Sequence, residues 1–335
     1  MNIGIIGCGL IGKKRVAALD EADRVVAVAD VVAERAAALA RETGAQAHGD
    51  ARRLLEDARV EAVVIATTHD QLAKLALEAV ERGKHVLLEK PGARRPSELE
   101  PVEAAAARRG VSVHVGFNHR FHPAMQKAKE LIASGALGEL YYIRGRYGHG
   151  GRIGYDREWR ANPELSGGGE LLDQGAHLID LAGWYFGAPF ENVQSAIATY
   201  YWQMPVEDNA FLTLQTRSGL TAQLHVTWTE WKNTFSLEIT GRLAKLQIDG
   251  LGGSYGTERL AFYQMRPELG PPDTTIWEYP GADPSWKLEW AHFRQQVAER
   301  RVAGEPGLSS TRAVLSVIER VYQQHRVPWL STVKG

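Results

Sequence analysis

The residues nearest the start of the chain already suggest chemistry. Gly7, Gly9 and Gly12 lie in GIIGCGLIG with the spacing G-x-G-x-x-G. At that spacing Gly7 permits a tight turn, Gly9 lets main chain approach a pyrophosphate, and Gly12 lets a helix pack closely on a strand. A helix opening at Leu10 and Ile11 offers N–H groups and a positive dipole end to phosphate oxygens. Asp30 stands 18 residues beyond Gly12, at the end of the second apolar run. A carboxylate there accepts hydrogen bonds from an adenosine ribose. It also repels a 2′-phosphate, and Val31 and Val32 supply no cation. Together these residues predict a dinucleotide site that takes NAD, with NADP the weaker ligand. A helix N-cap is a second role open to Asp30. Cys8 lies inside the glycine loop, where a small side chain that fits the turn is reason enough for it.

Asp173 and His177 are four residues apart in GGGELLDQGAHLIDL, residues 167–181. On a helix that spacing puts both on one face. An imidazole of ordinary pKa, about 6.5, can take a hydroxyl proton. A neighbouring carboxylate can orient the ring, bind the same hydroxyl, or do both. Asp180 continues the face at i+7 and reads as structural. Residues 147–160 concentrate His149, Arg152, Tyr155, Asp156, Trp159 and Arg160. Such a loop suits a polyhydroxylated ligand, with Trp159 stacked on a sugar face and an arginine meeting a phosphate or carboxylate. A solvated surface loop is the equal alternative. The arginines tilt the reading slightly toward an anionic substrate. The 11 histidines are scattered without ligand-like spacing, so no metal is expected.

These residues need a scaffold. Runs at 3–6, 24–29, 61–66, 85–88 and 111–115 are short and rich in Val, Ile and Leu. Helical stretches at 10–19, 31–42 and 71–81 separate them, and 123–134 reads as a further helix. The alternation implies βαβ units and a parallel sheet covered on both sides. After about residue 138 the pattern changes. Strands at 193–203, 210–216, 221–229, 235–240 and 245–249 follow one another as an antiparallel meander. One helix, 170–186, precedes them, and helices near 285–301 and 311–325 close the chain. The expected fold is therefore α/β. A Rossmann dinucleotide-binding domain spans 1–120, and an α+β domain with a large open, mostly antiparallel sheet spans 121–335. Whether the last helix packs back on the first domain is left open. Loops 251–255 and 270–273 carry no chemistry that the sequence assigns. Along 225–231, Trp228 alternates with His225 and Trp231, which suggests one core face and one subunit-contact face.

Three segments resemble the Gfo/Idh/MocA family, named for glucose–fructose oxidoreductase and inositol 2-dehydrogenase. They are GKHVLLEKP (83–91), GFNHRF (116–121) and GGGELLDQGAHLIDL (167–181), in that order behind the glycine motif. The resemblance covers nearly the whole chain. It implies that Lys90, in the family's E-K-P motif, contacts substrate and nicotinamide and stabilises a developing alkoxide. It implies that His177 is the general base, with Asp173 beside it as a third catalytic group. Thr67, Thr68, Glu89 and Lys90 would join Gly7, Gly9, Leu10, Ile11, Gly12 and Asp30 around the cofactor. Asn118 and Arg120 match a segment where substrate binding and interdomain packing are equally open. With Arg152, Tyr155 and Trp159 they complete the expected substrate set. Thr68 and Leu72 depart from the proline and histidine more usual there, so that loop differs from the family's pattern.

The implied activity is NAD-dependent hydride transfer at a ring secondary alcohol of a sugar, sugar nucleotide or cyclitol. An NAD-dependent glycoside hydrolase using transient oxidation is an alternative within the family. A non-catalytic NAD-binding sensor is another, against which Lys90, Asp173 and His177 all argue. The bulk numbers agree. A net charge of -1 with no basic block argues against nucleic acid. No apolar run reaches membrane-spanning length. The single cysteine and an N-terminus without signal-peptide character suggest a cytoplasmic protein. The resemblance implies a homodimer or homotetramer built on the open sheet.

Overall fold

A computed structural model of the protein describes residues 1–268 and 270–330. The last residues of the expected second domain, 331–335, lie outside that range. The chain forms two compact units. The first is Met1–Phe117 with Trp286–Leu315, and the second is Asn118–Ser285 with the described residues that follow Leu315. The sequence reading keeps 286–315 with the second domain, whereas here these residues cluster with the first.

The first unit opens with β1 (Asn2–Ile6), α1 (Leu10–Ala17), β2 (Arg24–Ala29), α2 (Ala33–Thr43) and β3 (Gln46–His48). It continues with α3 (Ala51–Glu56), β4 (Ala62–Ile65), α4 (His69–Glu81), β5 (His85–Glu89), α5 (Glu100–Arg109) and β6 (Val113–Gly116). All six strands are parallel, in the order β3-β2-β1-β4-β5-β6. The cause lies in composition. Every residue of β4 is fully buried, as a strand covered by helices on both faces requires. The strand order reverses beside β1, so the loops after β1 and β4 flank the crevice where such sheets bind ligands.

The second unit contains α6 (Pro123–Ala133), β7 (Leu140–Gly148), α7 (Pro163–Ser166), α8 (Ala176–Phe186), β8 (Phe190–Ala198), β9 (Asn209–Thr216) and β10 (Thr221–Thr227). It adds β11 (Thr234–Gly241), β12 (Ala244–Asp249), β13 (Glu258–Gln264) and β14 (Asp273–Tyr279). Helices α9 (Ser285–Ala298) and α10 (Leu308–Gln324) end the chain. In α9, Trp290 and Phe293 complete the first unit's core beside Ile3, Val28 and Leu39.

The eight-stranded sheet runs β14-β13-β12-β11-β7-β10-β9-β8. This corrects the simple meander: β7 inserts between β10 and β11, parallel to the first and antiparallel to the second. The expected pairing of β10 with β11 is thereby lost. Alternation sets the two faces. In β7, Ile143, Gly145 and Tyr147 are buried while Tyr142, Arg144 and Arg146 are exposed. Helices α6 and α8 pack against the sheet. Trp228 is fully buried and Trp231 is 91% exposed, as the alternation predicts, although β10 ends at Thr227.

Candidate active site

In the first unit the glycine loop is built by close approach. Gly7 has φ +94°, and a Cβ there would sit 2.3 Å from the Ala66 carbonyl oxygen. A Cβ on Gly12 would lie 2.0 Å from the Gly7 oxygen. A Cβ on Gly9 would meet nothing within 4 Å, so that side of the loop is open. Gly9 is the N-cap of α1 and supplies no side-chain cap. The first-turn N–H groups therefore face the open side, as a pyrophosphate requires.

Asp30 closes the cradle. Its Oδ2 accepts from the Cys8 N–H at 2.8 Å and its Oδ1 from the Val32 N–H at 2.8 Å. A carboxylate has about four acceptor positions, so ribose hydroxyls can still bind. The N-cap of α2 is Val32, so Asp30 caps the turn before the helix rather than the helix itself. Val31 is 94% exposed, and no cation stands at that position. Burial, helped by Asp30, pushes the Cys8 thiol up to about 12, which keeps it protonated and unreactive. Leu10 is exposed and Ile11 half-buried at the start of α1. After β4, the Thr67 hydroxyl donates to the Thr68 carbonyl at 3.3 Å and the Thr68 hydroxyl to Asp70 at 2.6 Å. Leu72 is fully buried, so its departure from the family pattern serves the core of α4.

Glu89 and Lys90 end β5. Lys90 is half-buried, and its bond to Pro91 is cis. Glu89, expected beside the cofactor, turns inward, where Arg15 Nε meets its Oε1 at 2.5 Å.

The second unit gathers side chains instead. Asp173 and His177 are 8% and 5% exposed. Residues Leu171–Gly175 form a π-turn that runs straight into α8, so the helix is locally widened where Asp173 sits. Such turns recur at functional sites. The His119 ring packs edge-on against His177, with centroids 3.7 Å apart, and Tyr147 lies beyond at 6.4 Å. The Tyr147 and Tyr255 rings lie 5.1 Å apart, and Gln174 Nε2 donates to the Tyr255 hydroxyl at 3.3 Å. Burial, then the neighbouring Tyr255, drives the Tyr147 phenol well above its ordinary pKa. Both phenols stay protonated and can act as donors. Burial lowers the pKa of His149.

Arg160 donates through Nε to Asp173 Oδ2 at 3.0 Å, and its Nη1 lies 3.7 Å from Glu158. Burial pulls its pKa down, but Asp173 outweighs that and holds the guanidinium charged.

The approach to Asp173 is fixed from behind by Glu207. Its Oε1 accepts from the N–H groups of Gly169 and Leu171, each at 3.1 Å, and from the Tyr322 hydroxyl at 2.8 Å. A Cβ on Gly169 would lie 2.0 Å from the Glu207 carbonyl oxygen, which explains a glycine there. Burial pushes the Glu207 carboxyl up to about 7, against the opposing pull of these hydrogen bonds.

Several expected residues take other places. Arg120 forms a buried two-point ion pair with Asp180, at 2.8 and 2.6 Å, and Asn118 donates to Ser285 Oγ at 2.9 Å. The geometry thus favours packing over substrate binding for both. Arg152 extends into solvent and pairs with Glu158 at 2.5 Å. Tyr155 is buried edge-on against Trp228, and Trp159 lies under the Arg160 guanidinium at 4.7 Å. The sequence reading missed His119, Tyr147 and Tyr255 as neighbours of the cluster. Only the alternation within β7 signals Tyr147.

Known proteins fit this arrangement. Residues 1–117 match the oxidoreductase family with an NAD-binding Rossmann fold, and residues 125–247 match the GFO/IDH/MocA C-terminal domain. Inositol 2-dehydrogenase 2 of Saccharopolyspora erythraea is 33% identical over 68% of this chain and 66% of its own length. Levoglucosan dehydrogenase of Pseudarthrobacter phenanthrenivorans is 31% identical over 65% of this chain and 59% of its own. The matched stretch thus spans less than two thirds of either relative. The fold is shared over a greater length. Levoglucosan dehydrogenase in complex with NADH and levoglucosan superposes with a TM-score of 0.85 at 24% identity, covering 96% of both chains. KijD10, a 3-ketoreductase from Actinomadura kijaniata in complex with NADP and TDP-benzene, gives 0.82 at 22% identity, covering 95% of this chain and 96% of that one. With both domains matched in order behind an intact glycine cradle, the chain belongs to the Gfo/Idh/MocA family of oxidoreductases.

Proposed function

We propose that the protein is an NAD-preferring dehydrogenase of an uncharged, polyhydroxylated ring, a free sugar or cyclitol. The observation that carries this reading is the pairing of the arginines around Asp173. Arg160 is matched by Asp173 and Glu158, and Arg152 by Glu158. The guanidinium groups that suggested an anionic ligand are already matched by Glu158 and Asp173, and the buried Glu170 beside Tyr147 adds a further carboxylate. A phosphate or carboxylate would meet repulsion there, whereas hydroxyls find acceptors on carboxylates and donors on phenols.

The roles follow from chemistry. When bound, NAD supplies a hydride acceptor at its nicotinamide. His177 takes the proton of the ring hydroxyl as its carbon gives up hydride. Asp173, fixed by Arg160, binds a neighbouring hydroxyl. Lys90 donates to the reacting oxygen and stabilises developing negative charge. Asp30 favours a free 2′-hydroxyl over a 2′-phosphate; comparable kcat/KM with NAD and NADP would contradict that preference. The homologous inositol and levoglucosan dehydrogenases act on rings of this kind by name. We further read the exposed face of the eight-stranded sheet, with Tyr142 and Phe211 on it, as a subunit contact in a cytoplasmic homodimer or homotetramer. A monomeric mass by sedimentation at micromolar concentration would contradict this.

The test is NADH absorbance at 340 nm with NAD and a panel of inositols, anhydrosugars, free sugars and nucleotide sugars. Sustained turnover confined to the uncharged rings is expected. Turnover confined to the nucleotide sugars would overturn the substrate class.

A further inference from the structure

Arg15 is 2% exposed in the interior of the first unit, three residues past Gly12 on α1. Its Nε meets Glu89 Oε1 at 2.5 Å and its Nη1 meets Glu289 Oε2 at 2.5 Å. The Trp286 ring covers the guanidinium, with its centroid 4.4 Å from Cζ. Glu289 Oε1 contacts His114 Nε2 at 3.3 Å, and His114 Nδ1 contacts Gln296 Oε1 at 3.2 Å. Gly116 leaves room for the fork, since a Cβ there would come within 2.6 Å of Nη2.

Burying charges is costly, and apolar residues of similar volume would hold the same elements together as well or better. What an apolar core could not do is fix a carboxylate. One guanidinium here binds two carboxylates through separate nitrogens of a planar fork, which sets the direction of each. One of those carboxylates belongs to Glu89, the residue bonded directly to Lys90. Burial drives the Glu89 pKa up and Arg15 opposes it, so the guanidinium also favours charge on the group next to Lys90.

We propose that Arg15 is a positioning residue for Lys90: through Glu89 it ties the end of β5 to the helix that opens at the glycine cradle. This rests on the reading that Lys90 acts in hydride transfer. Positioning of this kind matters because a misplacement of about 1 Å can cost a reaction about 100-fold.

The test is a double-mutant cycle on the full-length protein with NAD and the best substrate of the panel. The variants are Arg15→Lys, Lys90→Ala and the pair. Lysine keeps the charge and loses the fork. We expect kcat to fall about 10- to 100-fold in Arg15→Lys. KM for substrate, and NADH affinity by fluorescence titration, should stay within about threefold. In the Lys90→Ala background the same change should cost less than about threefold more, because the group it positions is gone. Glu289→Gln keeps the shape and one acceptor, and serves in the same cycle if Arg15→Lys does not fold. Full additivity of the two losses, or a folded Arg15→Lys protein with unchanged kcat, overturns the proposal. A Lys90→Ala protein with wild-type turnover, or a wild type silent across the panel, overturns the underlying reading and this proposal with it.

Discussion

The two units offer recognition different materials. The first builds its site from main chain: glycine φ values, helix N–H groups and one carboxylate held by two backbone N–H bonds. The second offers a cluster of side chains drawn from a π-turn, the helix α8 that follows it, a strand end and two loops, and the candidate members are Asp173, His177, Tyr147, Arg160 and Tyr255. A main-chain site is set by local sequence and tolerates almost no added atom. A side-chain site is set by long-range pairing, and single deletions are what it cannot tolerate.

That contrast can be broken or sharpened by substitution. The largest effect is expected from His177→Ala, which should lower kcat/KM about 100- to 10,000-fold. NADH affinity, measured by fluorescence, should remain within threefold, on the order of a surface change. Parallel loss of NADH binding would blur the division of labour.

Gly12→Ala should do the reverse. Its Cβ would stand 2.0 Å from a carbonyl oxygen, so backbone must move. A loss of about 1–3 kcal/mol in unfolding free energy is expected, with NADH affinity falling at least about tenfold. Normal NADH binding by a stably folded Gly12→Ala protein would contradict the cradle.

Glu207→Gln sharpens the second half through pH. The folded-state pKa, about 7, lies above the ordinary glutamate value of 4.5. Below pH 4.5 both folded and unfolded states hold the proton, and no stability is lost. As pH rises through 7 the unfolded state has released it and the folded state resists, so stability falls by up to about 3 kcal/mol. The wild type should therefore lose stability relative to Glu207→Gln between about pH 4.5 and 7.5. Parallel pH profiles in denaturant melts would remove Glu207 as the cause.

The smallest effect belongs to Arg152→Ala. Its exposed pair with Glu158 is worth at most about 1 kcal/mol, so kcat/KM should change less than about threefold. A larger loss would restore Arg152 to the substrate set.

The same contrast governs what was legible from sequence. The glycine spacing and Asp30 needed only local reading, because their function depends on neighbours a few residues away. Five of the six parallel strands agree with the sequence reading within two residues at either end, but β3, with three residues, carries too short a pattern. Strands β13 and β14 escaped for a different reason. Five of the seven residues in β14 are exposed, so no alternation marks this edge strand. Asp173 and His177 were visible through helical spacing. Tyr147 reads as the start of a loop unless the alternation over 140–148 is taken for a strand, and only the fold inserts that strand between β10 and β11. Tyr255 lies in a glycine-rich turn and reaches Tyr147 through folding alone. The arginines of 147–160 were seen, but their partners were not, so charge was read as available when it was already matched.

The central claim is that hydride passes from a ring carbon to the cofactor. It is tested most directly by mass spectrometry of the NADH formed from a carbon-deuterated sugar or cyclitol that the wild type turns over. The account predicts NADH one mass unit heavier, formed by the wild type and lost in His177→Ala. Unlabelled NADH, or labelled NADH formed equally well by His177→Ala, would contradict it.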